Sequence, residues 1–418
     1  MAESVAASPP VALYVHVPFC VSHCPYCDFV VVAGREARGP SSRIEAFVGA
    51  LETELRLRAD ALDERWGVPP NRPPLASLYL GGGTPSLLPS STIARLVGVV
   101  HERFGLAADA EVTLEVNPGA DERGDAAAQR EAGVTRLSIG AQSFDTGELR
   151  RLGRRHDPDD IVRTVAAARA AGMRSVSLDL LYDVPGGSLD SWSGTLDRAL
   201  ALEPDHLSLY ALTLDDPDAE GLTGLAGDHL PVRPGARRWR DRARERQDQD
   251  RAAAMYELAD RRLRASGLEW YEISNWARPD HRSRHNLAYW RRLSYEAVGP
   301  GAHAFDGVRR CWTAARLDGY IAALAPVGGG VPNLPPGGFE EVDGDVATFE
   351  SAMLALRTAD GVAATSMGAG HWAEVTRLLA EPVAVGLVRQ SADGSLALTM
   401  RGRLLSNEVF GRLLSLAG

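Results

Sequence analysis

Between Val11 and about residue 211, short β-branched or apolar runs alternate with longer stretches whose apolar residues recur at helical spacing. The runs at 11–17, 76–81, 110–116, 134–139, 174–180 and 206–211 read as strands. The stretches at 43–60, 91–104, 122–132, 158–171 and 190–202 read as helices, with Phe47, Leu51 and Leu55 sharing one face of the first. Strand and helix in alternation imply a parallel sheet joined by crossover helices. Six such units are too few to close an eight-strand barrel, so the expectation is an α/β fold built as an open, three-quarter β/α barrel. A doubly wound sheet is the alternative.

The pattern changes after this region. Residues 215–250 begin with Asp215-Asp216-Pro217-Asp218 and become dense in Arg, Asp and Gln from Arg237 to Arg251. They read as an inserted loop feeding a charged helix with a solvated face. The Gly- and Pro-rich segment 326–338 reads as a linker. Past it, 345–418 read as a small α+β, winged-helix-like domain, in which Gln390-Ser391-Ala392-Asp393-Gly394-Ser395 is the turn of a hairpin. The expected layout is therefore a barrel with its extension over 1–325, a linker over 326–344 and an accessory domain over 345–418.

Composition narrows the chemistry. The 418 residues are 45% hydrophobic and 24% charged, ordinary for a globular protein, which excludes collagen-like, wholly disordered and disulfide-scaffold chains. A net charge of −10 lacks the electrostatic footprint of a nucleic-acid binder, and no nucleic-acid partner is expected. All 45 basic residues are Arg. That excludes a pyridoxal Schiff base, a Walker-A phosphate site and a lysine nucleophile. The longest apolar stretches are interrupted well short of the ~18 residues that a membrane-spanning helix needs. The opening Met1-Ala2-Glu3-Ser4 has neither the basic nor the apolar region of a secretion signal, so a reducing cytoplasm is the expected setting.

Three of the four cysteines, Cys20, Cys24 and Cys27, fall in the spacing C-x₃-C-x₂-C directly after the first strand. In a barrel, that position is the catalytic rim. Three thiolates on a short loop can hold three corners of a [4Fe–4S] cube and leave its fourth iron open to a substrate. A closed zinc site would instead have to recruit His23 or the distant Cys311 as its fourth ligand.

The motif and the strand ends downstream of it resemble the radical S-adenosylmethionine superfamily. The resemblance implies that the open iron chelates the amino and carboxylate groups of S-adenosylmethionine, and that the reduced cluster cleaves it to a 5′-deoxyadenosyl radical. It further implies roles for residues at successive strand ends. Gly82, Gly83 and Thr84, in Gly81-Gly82-Gly83-Thr84-Pro85, would let the backbone approach the methionine ammonium closely. Glu115, in Glu115-Val116-Asn117-Pro118, matches the family carboxylate on the cofactor, and Gln142, in Gly140-Ala141-Gln142-Ser143-Phe144, its ribose contact. Arg154 aligns with an Arg near the cofactor carboxylate, Asp179 with a second polar contact and Tyr14 with an aromatic residue that packs on the cofactor.

Within the superfamily, Leu13 to Phe29 and Thr348 to Thr358 are similar to the coproporphyrinogen III oxidase-like group. That group includes an oxygen-independent coproporphyrinogen III dehydrogenase and a haem chaperone that passes haem to respiratory proteins. The dehydrogenase carries a further Cys two positions after the third, where this chain has Asp28 and then Phe29. It also has a longer segment before its cluster motif than the 19 residues that precede Cys20 here. In addition, His285-Asn286-Leu287-Ala288-Tyr289 resembles the chaperone's H-N-x-x-Y motif, which makes His285 the candidate haem ligand, with Asn286 and Tyr289 as further contacts. From the residues alone, His285 and Tyr289 could instead share a helix face and bond to each other.

The chaperone expectation thus brings with it a [4Fe–4S] cluster, S-adenosylmethionine, haem and haem-accepting respiratory proteins, and admits a cluster-dependent homodimer. His303 reads as a loop residue and Cys311 as a buried thiol. His16 and His23 flank the cysteine loop, where they could hydrogen-bond to sulfur. Asp183-Val184-Pro185-Gly186-Gly187-Ser188 departs from the group's commoner G-L-P-G-Q-T.

Overall fold

A computed structural model of the chain describes residues 6–34, 42–325 and 332–414. Six strands follow the expected runs: β1 (Ala12–Val17), β2 (Leu75–Gly82), β3 (Leu106–Val116), β4 (Arg136–Gln142), β5 (Ser175–Tyr182) and β6 (His206–Ala211). Six more complete one twelve-stranded sheet: β7 (Glu269–Glu272), β8 (Asn275–Ala277), β9 (Tyr295–Val298), β10 (His303–Phe305), β11 (Arg309–Thr313) and β12 (Gly337–Glu341). The order is β12-β11-β10-β9-β1-β2-β3-β4-β5-β6-β8-β7. From β9 through β1 to β6 all neighbours are parallel, and the outer strands on both sides are antiparallel. The sheet does not close on itself: β12 and β7 are its two edges, as an open barrel requires.

Helices Ser42–Trp66, Ser90–Arg103, Ala126–Glu131, Pro158–Ala170 and Leu189–Leu200 cross over between the strands. Asp157 and Ser188 cap the last two through reciprocal capping boxes, which satisfy otherwise orphaned N–H groups. The outward sides of the strands, such as Val176, Leu178 and Leu180 of β5, pack with these helices into the main apolar core.

The inward sides are different. A parallel sheet covered on both faces usually reads as nearly continuous apolar runs. Here β4 alternates Arg136, Ser138 and Gly140 with Leu137, Ile139 and Ala141, while β5 alternates Ser175, Ser177 and Asp179 with its apolar residues. The polar set faces the barrel interior, where Ser138 Oγ donates to Asp179 at 2.9 Å and Ser177 Oγ pairs with His206 Nδ1 at 2.8 Å. The barrel therefore encloses a polar lumen.

Two expectations change. Part of the expected linker, 326–331, lies outside the described residues. Gly337–Glu341, within it, forms the edge strand β12 against β11, because Gly337 and Gly338 allow the backbone to pass close to Trp312. The expected charged helix is Pro234–Arg244, yet Ala236, Arg240 and Ala243 are buried, so only its other side is solvated. Farther along, helices Gly344–Leu356, Ala369–Leu378 and Ser406–Leu413 pack with a two-stranded antiparallel hairpin, Val388–Gln390 with Leu396–Leu398, around an apolar cluster of their own. Arg403 docks this region on the barrel: it pairs with buried Asp260 at 3.1 Å and lies over the Trp270 ring.

Candidate functional site

Cys20, Cys24 and Cys27 lie on the loop that leaves β1, which turns back where the Cys27 N–H donates to the Cys24 carbonyl at 3.1 Å. All three line a cavity of about 1020 Å³ that opens over the strand ends. Donors converge on the sulfurs. Thr84 Oγ1 donates to Cys20 Sγ at 3.4 Å, and Arg154 Nη1 to Cys24 Sγ at 3.6 Å. Asn117 joins the two, since its amide donates to Thr84 Oγ1 at 2.8 Å and its carbonyl accepts from Arg154. Burial pushes the Cys20 thiol up to about 11 and the Cys27 thiol higher still. Both are thiols near neutral pH, so a metal bound there must displace protons.

The Gly81-Gly82-Gly83 run ends β2. Gly82 has φ +105, and a Cβ on it would meet the His16 ring at 2.3 Å. A Cβ on Gly83 would meet the Phe19 carbonyl at 2.7 Å, so these positions must be glycine for the cysteine loop to lie against β2. Glu115 takes hydrogen bonds from the Gly82 N–H and the Tyr79 hydroxyl, both at 2.9 Å. Burial nevertheless raises its carboxyl to about 7. A cationic ammonium beside it would return it to the ionised form. Gln142 sits at a register irregularity with φ 63, a backbone state rarely populated by residues other than glycine. That local twist re-aims a side chain at the end of β4. Asp179 also faces the cavity, with Ser138 and Ser177 donating to its carboxylate.

The H-N-x-x-Y segment lies behind the wall. It forms the short helix Arg284–Trp290, whose start is held by Glu111: that carboxylate accepts from Ser283 Oγ and from the Arg284 and His285 N–H groups at 3.2–3.3 Å. His285 is 1% exposed. Its Nδ1 pairs with Ser77 Oγ at 3.0 Å and its Nε2 with the Tyr289 hydroxyl at 2.7 Å. Burial drives its pKa down to about 3, so the ring is neutral. Of the three motif residues, only Asn286 lines the cavity. Tyr14 also lies in this knot, in ring contact with Tyr79 and His285, with its hydroxyl 3.0 Å from His16 Nδ1.

Residues 14–199 match the family model of the radical SAM superfamily. The Mycobacterium tuberculosis protein named heme chaperone HemW is 37% identical over 97% of this chain and 95% of its own length. The HemW of Bacillus subtilis is 31% identical over 96% and 98%. The chain belongs to the HemW family of radical SAM proteins. Among solved structures, the Escherichia coli coproporphyrinogen III oxidase HemN superposes with a TM-score of 0.76 at 23% identity, covering 98% of this chain and 91% of that one, a likeness of fold.

Membership in the radical SAM superfamily implies a [4Fe–4S] cluster and S-adenosylmethionine, and the residues present fit both. No three described His, Cys, Asp or Glu side chains converge to hold a single metal ion, so a tetrahedral zinc site is not preformed. Instead, three thiols spread along one loop face a common space, with two hydrogen-bond donors already on their sulfurs. When bound, the cluster would supply an iron without a protein ligand, open to S-adenosylmethionine. Gly82, Gly83, Glu115, Gln142, Arg154 and Asp179 share the cavity wall with the cysteines, whereas Thr84 is buried and acts on Cys20 from behind.

Several residues in this HemW-family chain differ from the expectation. Tyr14 is not in the cavity wall, because it lies on the side of β1 that meets the His285 knot. His16 does not touch sulfur: it is neutral, with a pKa near 4, and its Nε2 donates to the Val30 carbonyl at 2.8 Å, which pins the far end of the cysteine loop. His23 bonds to the backbone of Cys24. His303, held by Asp228 at 2.8 Å, stands on strand β10, between β9 and β11, and not in a loop.

Two further residues of the site escape sequence reasoning. Arg240, 2% exposed, donates to the carbonyls of Pro25, Tyr26 and Cys27 at 3.0–3.1 Å and also to that of Asp215. Among so many arginines nothing in the sequence distinguishes it. Asn117 has a signal, since it stands beside Glu115 in the same strand-end tetrapeptide.

Proposed function

We propose that this chain is a cytoplasmic haem chaperone. It would carry a [4Fe–4S] cluster on Cys20, Cys24 and Cys27, bind S-adenosylmethionine against Glu115, Gln142 and Arg154, and hold haem for delivery to haem-dependent respiratory proteins. The observation that carries this reading is the nearly end-to-end likeness to proteins named heme chaperone HemW, 37% and 31% identical. The cysteine loop adds support: the position two beyond Cys27 holds Phe29, an exposed apolar side chain at the cavity, and not a fourth thiol. Among the described residues no helix is long and apolar enough to cross a membrane.

Haem contacts at His285, Asn286 and Tyr289 rest on the motif resemblance. The neutral His285 ring is in the correct form to ligate iron. Its Nε2 is occupied by the Tyr289 hydroxyl, so ligation requires iron to displace that hydroxyl. The test is a titration of the anaerobically reconstituted protein with hemin, followed by the Soret band. Stoichiometric binding distinct from free hemin is expected. Absence of binding, together with conversion of coproporphyrinogen III to protoporphyrinogen IX in a parallel assay, would overturn the reading in favour of the dehydrogenase.

A further inference from the structure

The floor of the barrel holds a cation that no carboxylate touches. Arg136 opens β4, is 3% exposed and lines the cavity. Its Nη1 donates to Ser175 Oγ at 3.1 Å and to the His281 carbonyl at 3.3 Å, while its buried Nε has no hydrogen-bond partner. Among the described residues no carboxylate lies within ion-pair distance of it. The acids of the lumen are engaged elsewhere. Asp179 feels the Arg136 charge through space but spends its hydrogen bonds on Ser138 and Ser177. Glu111 holds the start of the Arg284–Trp290 helix, and the cation felt by Glu272 is Arg357. A buried guanidinium with neither a carboxylate in contact nor a full set of acceptors is costly, and a ligand carboxylate meets both needs at once.

We propose that Arg136 binds a carboxylate of the cavity's large ligand, a propionate of the tetrapyrrole, on the barrel floor. The proposal deepens the haem-chaperone reading and rests on it. The carboxylate is not that of S-adenosylmethionine, which the superfamily resemblance assigns to the cluster end beside Arg154. Arg136 and Gln142 stand at opposite ends of β4, six residues or roughly 20 Å apart. The cavity, about 1020 Å³, is at the top of the ~300–1,000 Å³ range of small-molecule pockets and has room for a second large ligand beside the cofactor. Arg136 also meets the segment that carries the haem motif: its acceptor His281 lies four residues before His285, and Ser283 and Asn286 share the same wall.

The test compares hemin with hemin dimethyl ester, whose propionates are neutral, on the full-length reconstituted protein. The wild-type chain is expected to bind hemin about tenfold more tightly than the ester, the ~1.4 kcal/mol expected of one charge-assisted contact. Arg136→Gln should lose that preference by weakening hemin alone, and Arg136→Lys should keep part of it. Equal affinity of the wild-type chain for acid and ester would overturn the proposal and leave the haem reading intact, as would Arg136→Gln weakening both forms equally. Binding of neither form would remove the haem reading and the proposal together. Equal affinity in the wild-type chain overturns the proposal without any variant, and because Arg154 and Arg403 line the same cavity, Arg136→Lys assigns the preference if Arg136→Gln does not fold: an unchanged preference in Arg136→Lys would overturn the proposal.

Discussion

The cysteine loop and the His285 knot are both motif-bearing segments packed against the first two strands, yet they end in opposite states. Around Cys20 and Cys24, Thr84 and Arg154 send donors toward sulfurs that face a cavity, and Asn117 links the two donors. Around His285, both ring nitrogens are matched by hydroxyls, and the group is closed off from that cavity. The difference teaches that a metal-ligating residue type is ready for a metal where its neighbours leave valence pointing at space, and must otherwise exchange an internal partner for the metal, as His285 would exchange the Tyr289 hydroxyl. A self-satisfied polar cluster contributes to stability and resists opening.

The sharpest way to break this contrast is to remove a thiol. Cys24→Ala is expected to abolish cluster formation on anaerobic reconstitution, measured as loss of acid-labile sulfide and visible absorption, while the fold persists because the thiol faces the cavity. Next in size is His285→Ala. It leaves Ser77 and Tyr289 hydroxyls buried without partners, at ~1–3 kcal/mol each, and urea unfolding should show a loss of several kcal/mol. A loss below about 1 kcal/mol would mean that the knot is not the closed unit described.

Arg240→Ala should be intermediate in kind. It removes the donor shared by the Pro25, Tyr26 and Cys27 carbonyls, so cluster content after reconstitution should fall several-fold, more than global stability does. Arg240→Lys should not rescue it, because a point charge cannot reproduce the planar fork. The gentlest probe is pH. His285 has a folded pKa of about 3, below its ordinary 6.5, so the unfolded chain takes up the proton first and stability falls as pH drops from 6.5 toward 3. Glu115 has a folded pKa of about 7, above its ordinary 4.5, so the unfolded chain releases its proton first and stability falls as pH rises from 4.5 toward 7. Denaturation free energies of Glu115→Gln and His285→Gln against pH should therefore differ from wild type with opposite slopes.

Much of this was legible in the chain. The alternation of apolar runs with helical patterns determined the parallel sheet and its crossovers, and six units without the means to close determined an open barrel, because both signals are local. Cys20, Cys24 and Cys27 were legible for the same reason: ligands within eight successive residues report their own geometry. The lumen was legible in principle, in the polar alternation of Ser175, Ser177 and Asp179, but a period of two does not say which face looks inward. Only tertiary structure decided that Arg240 grips the cysteine loop across more than two hundred residues, that Ser77 and Tyr289 occupy His285, and that Arg136 touches no carboxylate. Partnerships between distant side chains depend on which strands become neighbours, and no window of sequence contains that information.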